Sequence, residues 1–210
     1  AFLSAGFYAP LQQAVVAKIR ELRIENLLDI GCGEGYYTHA MQAEVLQCVG
    51  VDIAKNAVQV AAKLNKNVTW IVGTGATLPV LEKSIDLCSS LFSPIPQQEI
   101  LRVLKPQGYL MVVTPAQGHL YAMREALFEE VNPHEPHKFI QQLEAEFDLV
   151  SEQVIDAPLT LSQQDLKHLI AMTPYAYKAK VERRQALEQH DTFAVNAQFQ
   201  LYLFQKKSAL

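Results

Sequence analysis

Cysteine is scarce in this chain, with three among 210 residues: Cys32, Cys48 and Cys88. They are too few and too scattered for a disulfide framework, and no CxxC pair marks a zinc site, so no metal is expected. Uninterrupted apolar runs fall well short of the ~20 residues a membrane-crossing helix needs, so no membrane association is expected. The first ten residues lack the basic start and long apolar stretch of a secretory signal. A reducing, cytoplasmic compartment is therefore the default. The sequence opens on Ala1, without an initiator Met. Positive charge is not in excess either, since 18 basic against 22 acidic side chains leave a formal charge of −4. The overall charge gives no sign of broad attraction to nucleic acid, and it leaves room for a local basic patch. There are no repeats and no low-complexity tracts. Half the residues are apolar and 19% are charged, which excludes a disordered or fibrous chain. The length suits one domain, 1–210, with a sizeable core. Nothing in the sequence specifies an oligomeric state.

Apolar periodicity alternates between helix and strand. Leu11, Val15, Ile19 and Leu22 recur at helical spacing, which predicts an amphipathic helix over 10–23. Leu27 to Ile30 reads as a buried strand, and Tyr37 to Glu44 as the helix after it. Cys48 to Asp52, Val68 to Val72 and Ile85 to Leu91 read as further strands, with a helix over Ala54 to Leu64. Glu99 to Leu104 reads as a short helix stopped by Pro106, Gln107-Gly108 as a turn, and Tyr109 to Val113 as a fifth strand. This βαβ order predicts a mostly parallel central sheet with helices on both faces. Beyond it, Leu120 to Glu130 reads as a helix and Asn132 to Pro136 as a loop. Phe147 to Ile155 looks like a strand, and Ser162 is placed to cap a helix ending at Met172. Thr192 to Phe204 alternates apolar and polar residues and predicts a long antiparallel last strand.

The most informative stretch is Asp29-Ile30-Gly31-Cys32-Gly33-Glu34-Gly35-Tyr36, where a strand runs through a glycine turn into a helix. Glycine lets the backbone take positive φ and lets a ligand approach closely. The spacing is GxGxG, and Tyr36 stands where a dinucleotide fingerprint has its third glycine. Asp29, in the strand end, disfavours a pyrophosphate and favours an amino group or a sulfonium by charge pairing, provided that it faces the pocket. Asp52 closes the next strand, where a carboxylate accepts hydrogen bonds from both ribose hydroxyls and repels a 2′-phosphate. Cys32, between glycines, reads as a small filler of the turn.

The block Asp29 to Gly35 resembles the first motif of the Rossmann-like S-adenosylmethionine (SAM) methyltransferases, and Gly50-Val51-Asp52-Ile53 resembles their second. Leu78-Pro79, Ile85-Asp86-Leu87 and Leu101 to Gly108 look like their later landmarks, with Gln107 replacing the first glycine of the usual LKPGG. Where that fold often carries an adenine-contacting Asp, this chain has Gly73-Thr74-Gly75. The resemblance implies an α/β Rossmann-like fold and SAM as cofactor. Its candidate contacts are Asp29, Gly31, Gly33, Glu34, Gly35, Tyr36, Asp52, Ile53 and Thr74.

Several further stretches are similar to one family, the bacterial 23S ribosomal RNA (guanine-N1) methyltransferases. They are Ala1 to Leu11, Gly33 to Ala40, Thr114-Pro115 with His119-Leu120, and Met172 to Tyr177. This resemblance implies a guanine N1 acceptor and ribosomal RNA as partner. It implies that residues 1–25 form a helical cap carrying Tyr8 over the cofactor, and that 116–190 face the substrate. His119, just past the fifth strand, becomes a candidate cofactor contact and base. Phe92, with Ser93 and Pro94 at the end of the fourth strand, becomes a candidate platform for the acceptor base. That family also carries an amino-terminal zinc module; either the chain was cut before Ala1 or it is a shortened relative. The basic residues Lys178, Lys180, Arg183 and Arg184 form a patch for RNA or a solvated helix face. Two other readings stay open, a small-molecule methyltransferase on the same scaffold and a non-catalytic SAM- or RNA-binding module.

Overall fold

The computed structural model describes residues 2–208. Ala1, which opens the amino-terminal segment singled out above, lies outside the described residues. In chain order, α1 (Ala9–Leu22), β1 (Asn26–Ile30), α2 (Tyr36–Gln42), β2 (Gln47–Asp52), α3 (Lys55–Leu64) and β3 (Thr69–Val72) form the first half of the alternation. β4 (Ile85–Leu91), α4 (Gln97–Val103) and β5 (Leu104–Pro115) complete it. The rest is α5 (Tyr121–Leu127), α6 (Ile140–Leu143), β6 (Phe147–Ser162), α7 (Gln163–Met172), α8 (Tyr175–Lys178), α9 (Val181–Leu187) and β7 (Thr192–Lys206). The strands make one seven-stranded sheet in the order β3-β2-β1-β4-β5-β7-β6. β1 to β5 pair in parallel. β7 runs the other way: Gln205 bonds the Gln107 carbonyl, and the Ala116 N–H bonds the Gln198 carbonyl, so rising numbers on β5 meet falling ones on β7.

By packing, the chain divides into two compact units, each built from three segments. The larger comprises Gln12–Thr114, His137–Gln153 and Gln200–Leu210. Its core joins Leu28 and Ile30 of β1 and Cys88 of β4 to Ile100 and Val103 of α4, Leu110 and Val112 of β5, and Tyr202 and Phe204 of β7. Phe139 meets the rings of Tyr202 and Phe204 edge-on. Burying each such side chain contributes roughly 1.5–3 kcal/mol. β1 and β4, in the middle of the parallel part, are buried on both faces, so their leucines and isoleucines do not alternate with exposed polar residues. The smaller unit comprises Ala1–Leu11, Pro115–Pro136 and Val154–Phe199. Buried in it are Leu120 just before α5, Met123 and Leu127 of α5, Leu166, Leu169 and Ile170 of α7, and an aromatic group of Phe2, Tyr8 and Phe199. Ser162 caps α7 by accepting the Asp165 N–H, as its position predicts.

Two strands are longer than their residues predict. β5 begins at Leu104, ahead of Pro106-Gln107-Gly108, which reads as a turn. Those residues are absorbed as an irregularity: Ile85 pairs with Leu104 but Leu87 with Tyr109, and Gln107 takes φ +59°. β6 runs on to Ser162 through Pro158. β6 is an edge strand, the position in a sheet where proline is tolerated.

Candidate functional site

The site in the larger unit starts at the end of β1. The Gly31 and Cys32 N–H groups both donate to the Val51 carbonyl of β2, at 2.8 and 3.2 Å, and the Gly35 N–H closes the turn on the Cys32 carbonyl at 2.9 Å. Gly31, Gly33 and Gly35 have φ of +77°, +54° and +81°. At Gly31 the need is also steric, since an added Cβ would sit 2.4 Å from Ser93 Cβ. Gly35 and Gly50 make room for Trp70, whose ring would lie 2.5 and 2.7 Å from a Cβ at those positions.

Asp52 ends β2 and is fixed on both oxygens. Oδ2 accepts the Gly33 N–H and Oδ1 the Ala54 N–H, each at 2.8 Å. Each carboxylate oxygen has a second lone pair, so two acceptor directions remain for hydroxyl donors. The neighbouring Ile53 is 77% exposed, an apolar side chain held open to a flat ligand. A cavity of about 580 Å³ runs along these strand ends, and Gly31, Asp52, Ile53, Thr74, Phe92, Ser93 and Pro94 line it. Seven of the sequence-nominated residues therefore meet at one cavity. Gly33, Glu34, Gly35 and Tyr36 belong to the adjoining turn and helix start and are not among its lining.

Asp29 turns inward. It is 2% exposed, accepts the Thr38 hydroxyl at 2.5 Å and the Ser89 hydroxyl at 2.7 Å, and does not line the cavity. Burial pushes its pKa up to about 6; the two hydroxyl bonds oppose that rise, and Asp52 adds to it. Its partners lie nine and sixty residues away, so the direction of this carboxylate cannot be read from the motif alone. The Cys32 thiol is pushed well above its ordinary range, by burial first and then by Asp29 and Asp52, which leaves it a filler rather than a nucleophile.

At the end of β4, Phe92 takes φ +58°, a conformation seldom adopted by a bulky residue, and is 45% exposed at the cavity. Its turn is stitched down by serines that the sequence reading left out or gave no structural task. Ser93 Oγ donates to the Ile30 carbonyl at 2.6 Å, and Ser90 Oγ lies 2.9 Å from Ser93 Oγ. The detectable signal was a pair of hydroxyls, Ser89-Ser90, closing an otherwise apolar strand. Trp70 was also missed; its indole N–H donates to the Asn65 carbonyl at 2.8 Å.

Two nominated residues lie in the smaller unit. Tyr8 is buried, with its ring edge-on to Phe199 at 4.8 Å and to Phe2 at 5.3 Å between centroids. Burial raises its phenol far above the ordinary value, so it stays protonated. His119 is also buried, and its Nδ1 lies 2.8 Å from the Gln198 carbonyl, which requires the proton on Nδ1 and leaves Nε2 an acceptor. Burial lowers its pKa to about 4, against the opposing Gln198 bond and with small contributions from His134 and Arg124. In the basic cluster, Lys180 pairs with Glu129 at 2.7 Å, Arg183 bonds the Phe128 carbonyl at 3.0 Å and Arg184 bonds the Ala176 carbonyl at 2.9 Å.

The donor set fits an adenosyl ligand: a glycine turn, an oriented carboxylate with acceptor capacity left, and an exposed aliphatic shelf on one cavity. Among the described residues no group of His, Cys, Asp and Glu is arranged to hold a metal ion, and no helix is long and apolar enough to cross a membrane.

Comparison with known proteins agrees. The chain is 30% identical over 185 residues to a 23S rRNA (guanine(748)-N(1))-methyltransferase of Streptomyces fradiae, covering 84% of this chain and 66% of that protein. It is 28% identical over 199 residues to YxjB of Bacillus subtilis, assigned by name to the 23S rRNA (guanine-N(1)-)-methyltransferases, covering 88% of this chain and 69% of that protein. A solved SAM-dependent methyltransferase of Methanosarcina mazei shares the fold at a TM-score of 0.58 and 17% identity, over 93% of this chain and 98% of that one. The methyltransferase domain family matches residues 23–173. The chain belongs to that family: it is a SAM-dependent methyltransferase of Rossmann-like fold.

Proposed function

We propose that this chain transfers a methyl group to N1 of a guanine in ribosomal RNA. The observation that carries the reading is the extent of its likeness to relatives named for that reaction, 84% and 88% of the chain. Bound SAM supplies a methyl group already activated on a sulfonium. The protein's task is then to align donor and acceptor, worth roughly 7–11 kcal/mol in favourable cases. In this reading the Asp52 carboxylate accepts the ribose hydroxyls, and Ile53 and Thr74 flank the adenine. Gly31, Gly33, Glu34, Gly35 and Tyr36 present the turn and helix start, and Asp29 holds that turn from beneath through Thr38 and Ser89. Phe92 offers its face to the acceptor base, held by Ser93 and followed by the rigid Pro94. Tyr8 and His119 serve as further cofactor contacts.

Guanine N1 must lose a proton before or during transfer. With a pKa of about 4, His119 is neutral at pH 7 and presents Nε2 as an acceptor. It is a weak base, suited to orienting the N1–H rather than storing its proton. A guanine in a duplex hides N1, so the target is an unpaired or flipped nucleotide.

The test is to incubate the chain with methyl-labelled SAM and unmodified 23S rRNA, then to map reverse-transcription stops, because an N1 methyl blocks the pairing edge. Label in RNA with a stop at one guanine is the expected result. Label that appears only in small molecules of a cell extract would transfer the reading to a small-molecule acceptor. Full single-turnover transfer by His119→Ala would remove His119 from the reaction.

A further inference from the structure

Arg124, on α5 in the smaller unit, is 4% exposed, and among the described residues no other Lys or Arg is buried. Its Nη1 donates to the Asn132 carbonyl at 2.9 Å and its Nη2 to the Gln117 carbonyl at 3.3 Å. Its Nε is buried with no hydrogen-bond partner. The guanidinium carbon stands 5.9 Å from the centre of the Tyr121 ring. Its hydrogen-bond partners are thus neutral carbonyls, and among the described residues no ion pair balances the charge. A guanidinium does not lose its proton inside a protein. An uncompensated buried charge is costly, by several kcal/mol per ion even after relaxation.

The groups that sense this charge are His119, His134 and Tyr175. His134 Nε2 lies 3.2 Å from the Tyr175 hydroxyl, and the His119 and His134 rings are 6.1 Å apart between centroids. Burial holds both imidazoles below their ordinary value and the Tyr175 phenol above its own, so all three are neutral at pH 7. These four groups therefore combine one permanent cation with three neutral polar side chains. The exposed basic cluster differs, because Glu129 and Glu188 already stand against Lys180 and Arg184.

We propose that Arg124 is the cationic centre of an oxyanion site, taking a phosphate or carboxylate group on its guanidinium beside the His134–Tyr175 pair. A guanidinium presents paired N–H groups that match such an oxyanion. Two sources share this chemistry: a phosphodiester of the acceptor RNA and the amino-acid carboxylate of the methyl donor. The site rests on the family assignment for its probes and not on ribosomal RNA being the acceptor.

The first arm titrates inorganic phosphate into the chain at constant ionic strength and follows thermal unfolding. A saturable rise in Tm that chloride does not reproduce, and that Arg124→Gln abolishes, is the expected result. A flat phosphate titration of the unsubstituted chain overturns the proposal, and that reading needs no variant to fold. Arg124→Lys keeps the charge without the fork and is expected to bind phosphate about tenfold more weakly. Unweakened binding in that variant overturns the guanidinium assignment. The second arm identifies the source. At least a tenfold loss of SAM affinity in Arg124→Gln, with decarboxylated SAM unaffected, marks the donor carboxylate. A salt dependence of RNA binding shallower by about one marks a phosphodiester. Methyl transfer to rRNA alongside a flat phosphate titration keeps the proposed function and discards the site.

Discussion

Asp29 shows how one side chain links the fold to pH. Its pKa rises from 3.8 to about 6 on burial, so between these values the folded chain holds a proton that the unfolded chain has released. The associated stability is fully present below pH 3.8 and is lost as pH rises through about 6. At roughly 1.4 kcal/mol per unit this amounts to about 3 kcal/mol. Asp29→Asn is expected to remove that slope and to be at least as stable as the parent at pH 7. Urea unfolding at intervals from pH 4 to 7.5 checks it; an unchanged slope in the variant would place the titration elsewhere. Asp52 supports a different prediction, because its two N–H bonds orient it for a ligand. Asp52→Ala is expected to weaken SAM binding by about 10- to 100-fold, the range for losing charge-assisted hydrogen bonds. Calorimetric titration reads this directly, and an unchanged affinity would remove Asp52 from the cofactor site.

At the scale of elements, the glycine turn separates strain from crowding. Gly33 has positive φ but open space around a would-be Cβ, whereas Gly31 has positive φ and Ser93 in the way. Gly33→Ala is expected to cost about 1–2 kcal/mol, the left-handed penalty alone. Gly31→Ala is expected to cost clearly more, with overpacking adding about 1–3 kcal/mol. Equal costs in chemical denaturation would contradict the Ser93 contact. The turn was legible because strand, glycines and helix start are contiguous, and Asp52 because it ends the next strand. β4 and α7 were legible for the same local reasons, an apolar run and a capping serine. What could not be read depends on distant partners. Pro158 looks like a strand breaker until β6 is known to be an edge strand. Pro106-Gln107-Gly108 looks like a turn until β5 is seen to absorb it against β4. Asp29 points inward because of Ser89, sixty residues away. The buried state of Arg124 follows from the carbonyls of Gln117 and Asn132, which no spacing rule announces.

For the whole molecule, the three-segment make-up of each unit has a consequence for cleavage and repair. A protease site placed in the loop at Asn132–Pro136 would leave two polypeptides, each contributing segments to both units. Severing that one bond is therefore expected to free neither unit, and the halves should travel together on a sizing column until denaturant parts them. Separate migration without denaturant would show that the units tolerate the loss of a segment. If the halves stay together, the chain is a natural candidate for split-reporter use: two inert pieces that regain methyl transfer only when they meet.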